Sequence, residues 1–186
     1  MSVALPIRTA SLILRPFAES DFEDIAAQMG DAGVTRYLYW GPRTREESRI
    51  AFEKRMTGNV IAPGVDYIAL VIADAATGRF AGEVSLMHMA NPHRNGEIGY
   101  ILHPDFHGRG VATEAATAMR DIAFRELGLH RLTAGCDDRN TGSWRVMEKL
   151  GMRREAHFVR NEFVKGEWTG GIIYAMLDEE WRALQA

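Results

Sequence analysis

The fold is decided by Pro104-Asp105-Phe106-His107-Gly108-Arg109-Gly110-Val111-Ala112-Thr113, which joins a predicted strand to the start of a long predicted helix. Its two glycines let the backbone curl tightly, so that several N–H groups point into one hollow. The helix start adds roughly half a positive charge there. This combination favours a phosphate or pyrophosphate site, although a ligand-free turn has the same spacing. The stretch has neither the Lys-Ser/Thr of a P-loop nor a G-x-G-x-x-G run, which disfavours nucleotide hydrolysis.

Upstream of this loop, the sequence predicts two helices and a meander of antiparallel strands. Capping boxes at Ser20–Glu23 and Thr44–Glu47 predict the two helix starts, and Gly58 is placed to end the second helix. Apolar and β-branched runs predict strands at Leu12–Leu14, Tyr67–Ala73, Phe80–Met89 and Glu97–Leu102.

Downstream, an apolar stripe at helical spacing predicts a helix over Thr113–Leu127, with Gly128 as its C-terminal cap. The remaining predicted elements are a strand at Arg131–Cys136, a helix at Thr141–Leu150, strands at Ala156–Val164 and Gly171–Leu177, and a helical turn at Asp178–Leu184. The order predicts an α+β fold: one mixed, mostly antiparallel sheet of about seven strands with helices on both faces. We expect one domain over residues 1–186.

The composition is that of an ordinary globular protein, with 46% hydrophobic and 25% charged residues. A net charge of −3 gives no reason to expect a nucleic-acid or membrane partner. The lone Cys136 lies in an apolar stretch, which favours a small buried hydrophobe over a nucleophile. With no run long enough to span a bilayer and no signal-peptide core, we expect a cytoplasmic protein.

The chain resembles the GNAT superfamily of N-acetyltransferases, and most closely the branch that acetylates the N-terminal amines of ribosomal proteins. The family's loop reads Gln/Arg-x-x-Gly-x-Gly/Ala, and here it is His107-Gly108-Arg109-Gly110-Val111-Ala112, with His107 as the departure. A second family motif appears as Asn140-Thr141-Gly142-Ser143. The resemblance implies a GNAT-like sheet with a splayed central strand pair. It also implies acetyl-CoA as co-substrate, with its pyrophosphate on the loop and its pantetheine arm along the splayed strand. The implied coenzyme contacts are Tyr100, Ile101, Leu102, His107, Gly108, Arg109, Gly110, Val111, Ala112, Thr113, Asn140 and Ser143.

Acetyl transfer to an amine needs a way to remove a proton, because an amine is protonated at neutral pH. The resemblance implies Ser143 as general acid and Glu162, nineteen residues later, as general base. Each has a plain structural alternative, a helix-terminal hydroxyl and a solvated carboxylate. Glu97 and Glu83, on central strands, are the competitors for the base. Other branches use a tyrosine where this chain has Met147, and a thioether cannot donate that proton.

Several questions stay open at this level. His103 and His107 could suggest a metal, but Pro104 and the lack of a third ligand argue against one, and no step requires it. The expected partner is an amine, either a peptide N-terminus or a small amino compound, walled in part by the aromatic segment Thr35–Arg45. Glycine stands at 170, where related sequences often carry an acid, and this weakens the ribosomal-protein assignment. A homodimer and a non-catalytic acyl-CoA sensor remain alternatives.

Overall fold

Eight strands form one mixed sheet in the computed structural model, which describes residues 3–185. The strands are β1 (Ile7–Arg8), β2 (Leu12–Arg15), β3 (Tyr67–Asp74), β4 (Phe80–Met87), β5 (Asn95–Leu102), β6 (Arg131–Asp137), β7 (Arg153–Val164) and β8 (Glu167–Leu177). They lie in the order β1-β2-β3-β4-β5-β6-β8-β7, and every neighbouring pair is antiparallel except β5–β6. The predicted fold class is confirmed. The unpredicted strand, β1, is two residues long, too short to show an alternating pattern.

The helices cover both faces because the central strands are apolar on both sides. The helices are α1 (Phe22–Gly30), α2 (Ala32–Thr35), α3 (Arg45–Thr57), α4 (Val111–Arg125), α5 (Thr141–Lys149) and α6 (Asp178–Ala183). In β3, Ile68, Leu70 and Ile72 pack into the core beneath α4, while Ala69 and Val71 pack into a second core beneath α1 and α3. None of these helices in residues 3–185 is long and apolar enough to cross a membrane.

One predicted helix start is confirmed and one is wrong. Thr44 Oγ1 accepts a hydrogen bond from the Glu47 N–H at 3.2 Å, and Glu47 accepts one from the Thr44 N–H at 2.8 Å, so the capping box of α3 is formed. Ser20 does not cap α1, which begins at Phe22 after a 3₁₀ turn. The carboxylate of Asp21 accepts two hydrogen bonds from Arg15, at 2.7 and 2.6 Å, and one from the Ala18 N–H, and this fixes the turn there instead.

The predicted splayed strand pair is β5 and β6. These parallel strands pair only where Asn95–Glu97 lie beside Arg131–Thr133. Beyond that point β6 stays paired with β8 over its whole length, and β5 stays paired with β4. The two strands therefore open into a cleft bordered by Ile98–Leu102 on one side and the end of β6 on the other.

Candidate active site

The loop between β5 and α4 lies at one end of this cleft. Gly108 and Gly110 have φ angles of +71° and +80°, which only glycine adopts without strain. A Cβ built on either would meet no atom within 4 Å, so the hollow in front of the loop is open. Gly110 is the N-cap of α4, a fifteen-residue helix whose positive end faces this hollow. The geometry suits a pyrophosphate group bound through backbone N–H groups.

The two histidines of the loop take part in its own hydrogen bonds. His103 Nδ1 accepts from the Asp105 N–H at 3.2 Å and caps the turn Pro104–Phe106. His107 Nε2 lies 3.3 Å from the Leu102 carbonyl oxygen. No group of three or more histidine, cysteine or carboxylate side chains suited to a metal ion occurs in residues 3–185.

Glu114, in the first turn of α4, ties the helix to the N-terminal hairpin. Its carboxylate accepts hydrogen bonds from Thr9 Oγ1 at 2.5 Å, from the Ser11 N–H at 2.7 Å and from Ser11 Oγ at 2.6 Å. Burial opposes its ionisation, but these hydrogen bonds outweigh burial and hold the pKa of Glu114 below its usual value. The start of α4 is thereby fixed from a segment more than 100 residues away, a role that the sequence did not reveal.

Ser143 bridges the two sides of the cleft. Asn140 caps α5, accepting a hydrogen bond from the Ser143 N–H at 3.2 Å. The Tyr100 hydroxyl, on β5, donates to the Ser143 carbonyl oxygen at 2.8 Å and lies 3.2 Å from Ser143 Oγ. Across the cleft, on β6, burial raises the pKa of the Cys136 thiol to about 11, partly offset by a hydrogen bond with Ser143. Burial also raises the pKa of Tyr100, so both groups are neutral proton carriers at pH 7.

A small pocket lies beside Cys136, and Glu162 lines it. Its enclosed part has a volume of about 20 Å³, room for a group of about the size of a water molecule, and the rest of the pocket opens to solvent. Arg36–Tyr39, part of the segment Thr35–Arg45 expected to wall the acceptor site, form part of its wall. The lining residues are Arg36, Tyr37, Leu38, Tyr39, Cys136, Asp137, Arg139, Glu162, Val164, Lys165, Thr169, Gly170 and Gly171.

The pocket wall is held in place by Lys165, in the turn between β7 and β8. Its ammonium group donates to the carbonyl oxygens of Thr35 at 2.8 Å and Arg36 at 2.7 Å. Cations stabilise the carbonyl end of a helix, and these are the last carbonyls of α2. These hydrogen bonds hold the segment after α2 against the end of β7, the strand that carries Glu162.

Tyr39 lines the same pocket as Glu162 and Asp137, on a side chain that is 77% exposed. Partial desolvation, then Glu162, Glu97 and Asp137, raise the pKa of Tyr39 above its usual value. Tyr39 therefore keeps its proton and can donate a hydrogen bond at this acidic point. Of the two predicted base candidates Glu162 and Glu97, Glu162 lines this pocket.

The other candidate base, Glu83, is engaged elsewhere. It is 6% exposed and receives two hydrogen bonds from Arg55, one of them from Nη2 at 2.7 Å. A buried carboxylate held by an arginine in this way has no open side toward a substrate.

The glycine at 170 is a place where no side chain fits. A Cβ there would lie 2.3 Å from Asp138 Oδ2 and 2.6 Å from the Phe158 carbonyl oxygen. The Asp138 carboxylate occupies that space and lies 3.1 Å from His157 Nε2. A carboxylate is therefore present at the position, but it comes from the end of β6.

Comparison with known proteins agrees with this geometry. The family model described as "Acetyltransferase (GNAT) domain" matches residues 11–153. The uncharacterised N-acetyltransferase YnaD of Bacillus subtilis is 31% identical over 94% of this chain and 98% of its own length. The spermidine N(1)-acetyltransferase of Escherichia coli is 25% identical over 93% of this chain and 89% of its own. A GNAT-family acetyltransferase structure from Bacillus anthracis superposes with a TM-score of 0.82 at 31% identity, covering 94% of this chain and 99% of that one.

The open glycine loop at the start of α4, the cleft between β5 and β6 and the family match point to one conclusion. The chain belongs to the GNAT family of acetyltransferases and is an N-acetyltransferase that uses acetyl-CoA.

Proposed function

We propose that this enzyme transfers the acetyl group directly to a primary amine held in the pocket beside Cys136, with both substrates bound at once. One observation carries the proposal: Ser143 is hydrogen-bonded to Tyr100 on β5, and Cys136, on the β6 side of the cleft, lines the pocket that contains Glu162. A thioester lying in the cleft and an amine lying in the pocket would meet beside Ser143.

The chemistry then needs two proton movements. A carboxylate at the pocket, Glu162, takes a proton from the incoming ammonium group, and the freed nitrogen lone pair attacks the thioester carbonyl carbon. The tetrahedral oxyanion collapses, the carbon–sulfur bond breaks, and the nitrogen gives its second proton to solvent. The Ser143 hydroxyl gives a proton to the departing thiolate and regains one from solvent. The products are an N-acetyl amine and free coenzyme A.

The choice of Glu162 over Glu97 rests on position. Glu162 lines the pocket, is half-buried, and has no ion-pair partner among residues 3–185. Glu97 lies where β5 is still paired with β6, at the closed end of the cleft. A water molecule would have to connect Glu97 to an amine in the pocket.

The coenzyme contacts are part of the same proposal. Asn140 and Ser143, with the loop His107–Thr113, line the cleft side, and the open edge of Tyr100–Leu102 is available to the amide groups of the pantetheine arm. Of these residues, His107 contacts the Leu102 carbonyl rather than the hollow.

Release of coenzyme A from acetyl-CoA, measured across a panel of amines, tests the proposal. Glu162→Gln should lower kcat roughly 10²–10⁴-fold while coenzyme A affinity changes little, since only proton transfer is lost. Glu97→Gln should act more weakly, and Glu126→Gln, at an exposed position after α4, is the control for general effects. An unchanged rate in Glu162→Gln would move the base to Glu97 or to water. Binding of acetyl-CoA without acetylation of any amine would favour a sensor instead.

A further inference from the structure

Two charged groups at the pocket have no ion-pair partner among residues 3–185, and they have opposite sign. The first is the carboxylate of Glu162. The second is the guanidinium of Arg36, whose Cζ atom lies 5.1 Å from the centre of the Tyr37 ring, another pocket residue. The remaining charged side chains of the pocket are already engaged.

The other charged side chains of the pocket each have a partner. Arg139 pairs with Asp137 at 2.7 Å and with Glu167 at 3.0 Å. The ammonium group of Lys165 donates to two backbone carbonyls. Asp137 and Glu167 together compensate Arg139, and Lys165 is held by backbone carbonyls, so Arg36 is the cation of the pocket lining that no described side chain compensates.

The pocket has two regions that an acceptor can occupy, an enclosed region beside Glu162 and a rim at Arg36. The enclosed part of the pocket, about 20 Å³, has room for an ammonium group beside Glu162. The rest of the acceptor must therefore lie at the rim, where Arg36 is exposed. A second ammonium group at the rim would face the like charge of Arg36, whereas a carboxylate there would find an unpaired guanidinium suited to bidentate binding.

Resting on the proposed function, we infer that the preferred acceptor is a small amine that also carries a carboxylate, of the free amino acid class, and that Arg36 determines this specificity by binding the carboxylate. The Glu162 side of the pocket receives the amine, and the Arg36 side receives the acid group. Polyamines lack the carboxylate and would place a further positive charge near Arg36.

The test compares ω-amino acids from glycine to 5-aminovalerate, each with its own amide, and spermidine, using kcat/KM for coenzyme A release. In the wild type, the best amino acid should exceed spermidine. Arg36→Met should lower kcat/KM for that amino acid roughly 10- to 100-fold, the loss typical of a hydrogen bond to a charged group. The same variant should change kcat/KM for the matching amide less than about twofold. Because each acceptor is compared with itself, differences in intrinsic amine reactivity cancel.

Three controls keep the outcomes separate. Arg36→Lys should restore part of the lost rate, and Arg8→Met, which removes an exposed arginine on β1, should leave both substrates unchanged. Equal losses for the amino acid and its amide in Arg36→Met would make Arg36 a structural residue and overturn the inference. Faster acetylation of spermidine or of the amides by the wild type would also overturn it while leaving the proposed function intact. Absence of acetylation for every amine would instead refute the proposed function, and the inference with it.

Discussion

Replacing Gly110 with glutamate should weaken coenzyme A binding by an amount that the loop geometry sets. Gly110 has a φ of +80°, so any side chain there costs about 1–2 kcal/mol of backbone strain. No atom lies within 4 Å of the added Cβ, so the fold itself has room for the change. The carboxylate would stand at the start of α4, in the hollow assigned to the pyrophosphate.

The binding loss follows from Coulomb's law. A carboxylate about 5 Å from a doubly charged pyrophosphate in a water-like medium costs about 1.5–2 kcal/mol. That corresponds to roughly a 10- to 30-fold higher Kd. Lost space in the hollow would add to this figure. Isothermal titration with coenzyme A measures it directly, and the ligand-induced rise in Tm should fall in parallel.

Gly78→Glu is the matched control. Gly78 also has a positive φ, +73°, and also faces open space, but it lies in the hairpin between β3 and β4. Both variants should lose similar stability without ligand, and only Gly110→Glu should lose affinity. Equal coenzyme A affinity in the two variants would refute the assignment of the pyrophosphate to this loop.

Three further predictions concern the cleft, the core and pH. Ser143→Ala should lower kcat roughly 10²–10⁴-fold by removing the general acid. Tyr100→Phe should lower kcat about 5- to 10-fold, because it removes the hydrogen bond that holds the Ser143 turn. Steady-state kinetics checks both variants, and a change confined to coenzyme A affinity would make Ser143 a binding residue. Arg55→Met should cost about 3–5 kcal/mol in urea unfolding, because it leaves the Glu83 carboxylate buried and unpaired, and a loss under 1 kcal/mol would contradict this. Hydrogen bonding from Arg131 lowers the pKa of Glu155 to about 2. The pair therefore stabilises the fold, by about 1 kcal/mol or less because it is exposed, above the usual carboxyl pKa, and this stabilisation is lost as pH falls toward 2. The difference in unfolding free energy between the wild type and Glu155→Gln should shrink over that range, and a difference that does not change with pH would refute the pair.

The parts of the fold that were predictable from sequence depend on local chemistry. The loop His107–Ala112, the Asn140 cap and the Thr44–Glu47 capping box each join residues within a few positions of one another. The Ser20 start was wrong because Asp21, one residue on, is recruited by Arg15 through a contact that no local pattern contains.

The parts of the site that were not predictable depend on distant contacts. Tyr100 and Ser143 are 43 residues apart, and Lys165 closes on Thr35 across 130 residues. The sequence named Tyr100 as a backbone contact, but the position of its hydroxyl follows only from the splay of β5 and β6. Likewise, no local pattern places Arg36, Asp137 and Glu162, from three distant parts of the chain, in the lining of one pocket.

Two adjacent glycines in β8 give a last test of where the amine binds. Asp137 on β6 lies opposite Gly171, and Glu162 on β7 lies opposite Thr169, so the two carboxylates flank β8 from either side. Residues 169 and 171 share a face of the strand, and the missing side chain of Gly171 leaves space between the carboxylates.

Replacing each glycine with alanine should therefore affect a different property, acceptor binding for Gly171 and stability for Gly170. A Cβ on Gly171 meets its nearest atoms at 3.9 and 4.0 Å, so Gly171→Ala should fold with a nearly unchanged Tm. Because the cavity is only about 20 Å³, the added methyl group should raise the acceptor KM about tenfold or more. Gly170→Ala drives its Cβ against Asp138 and a backbone oxygen and should instead lower Tm. Coenzyme A affinity should be unchanged in Gly171→Ala, and an unchanged acceptor KM there would place the amine outside this pocket.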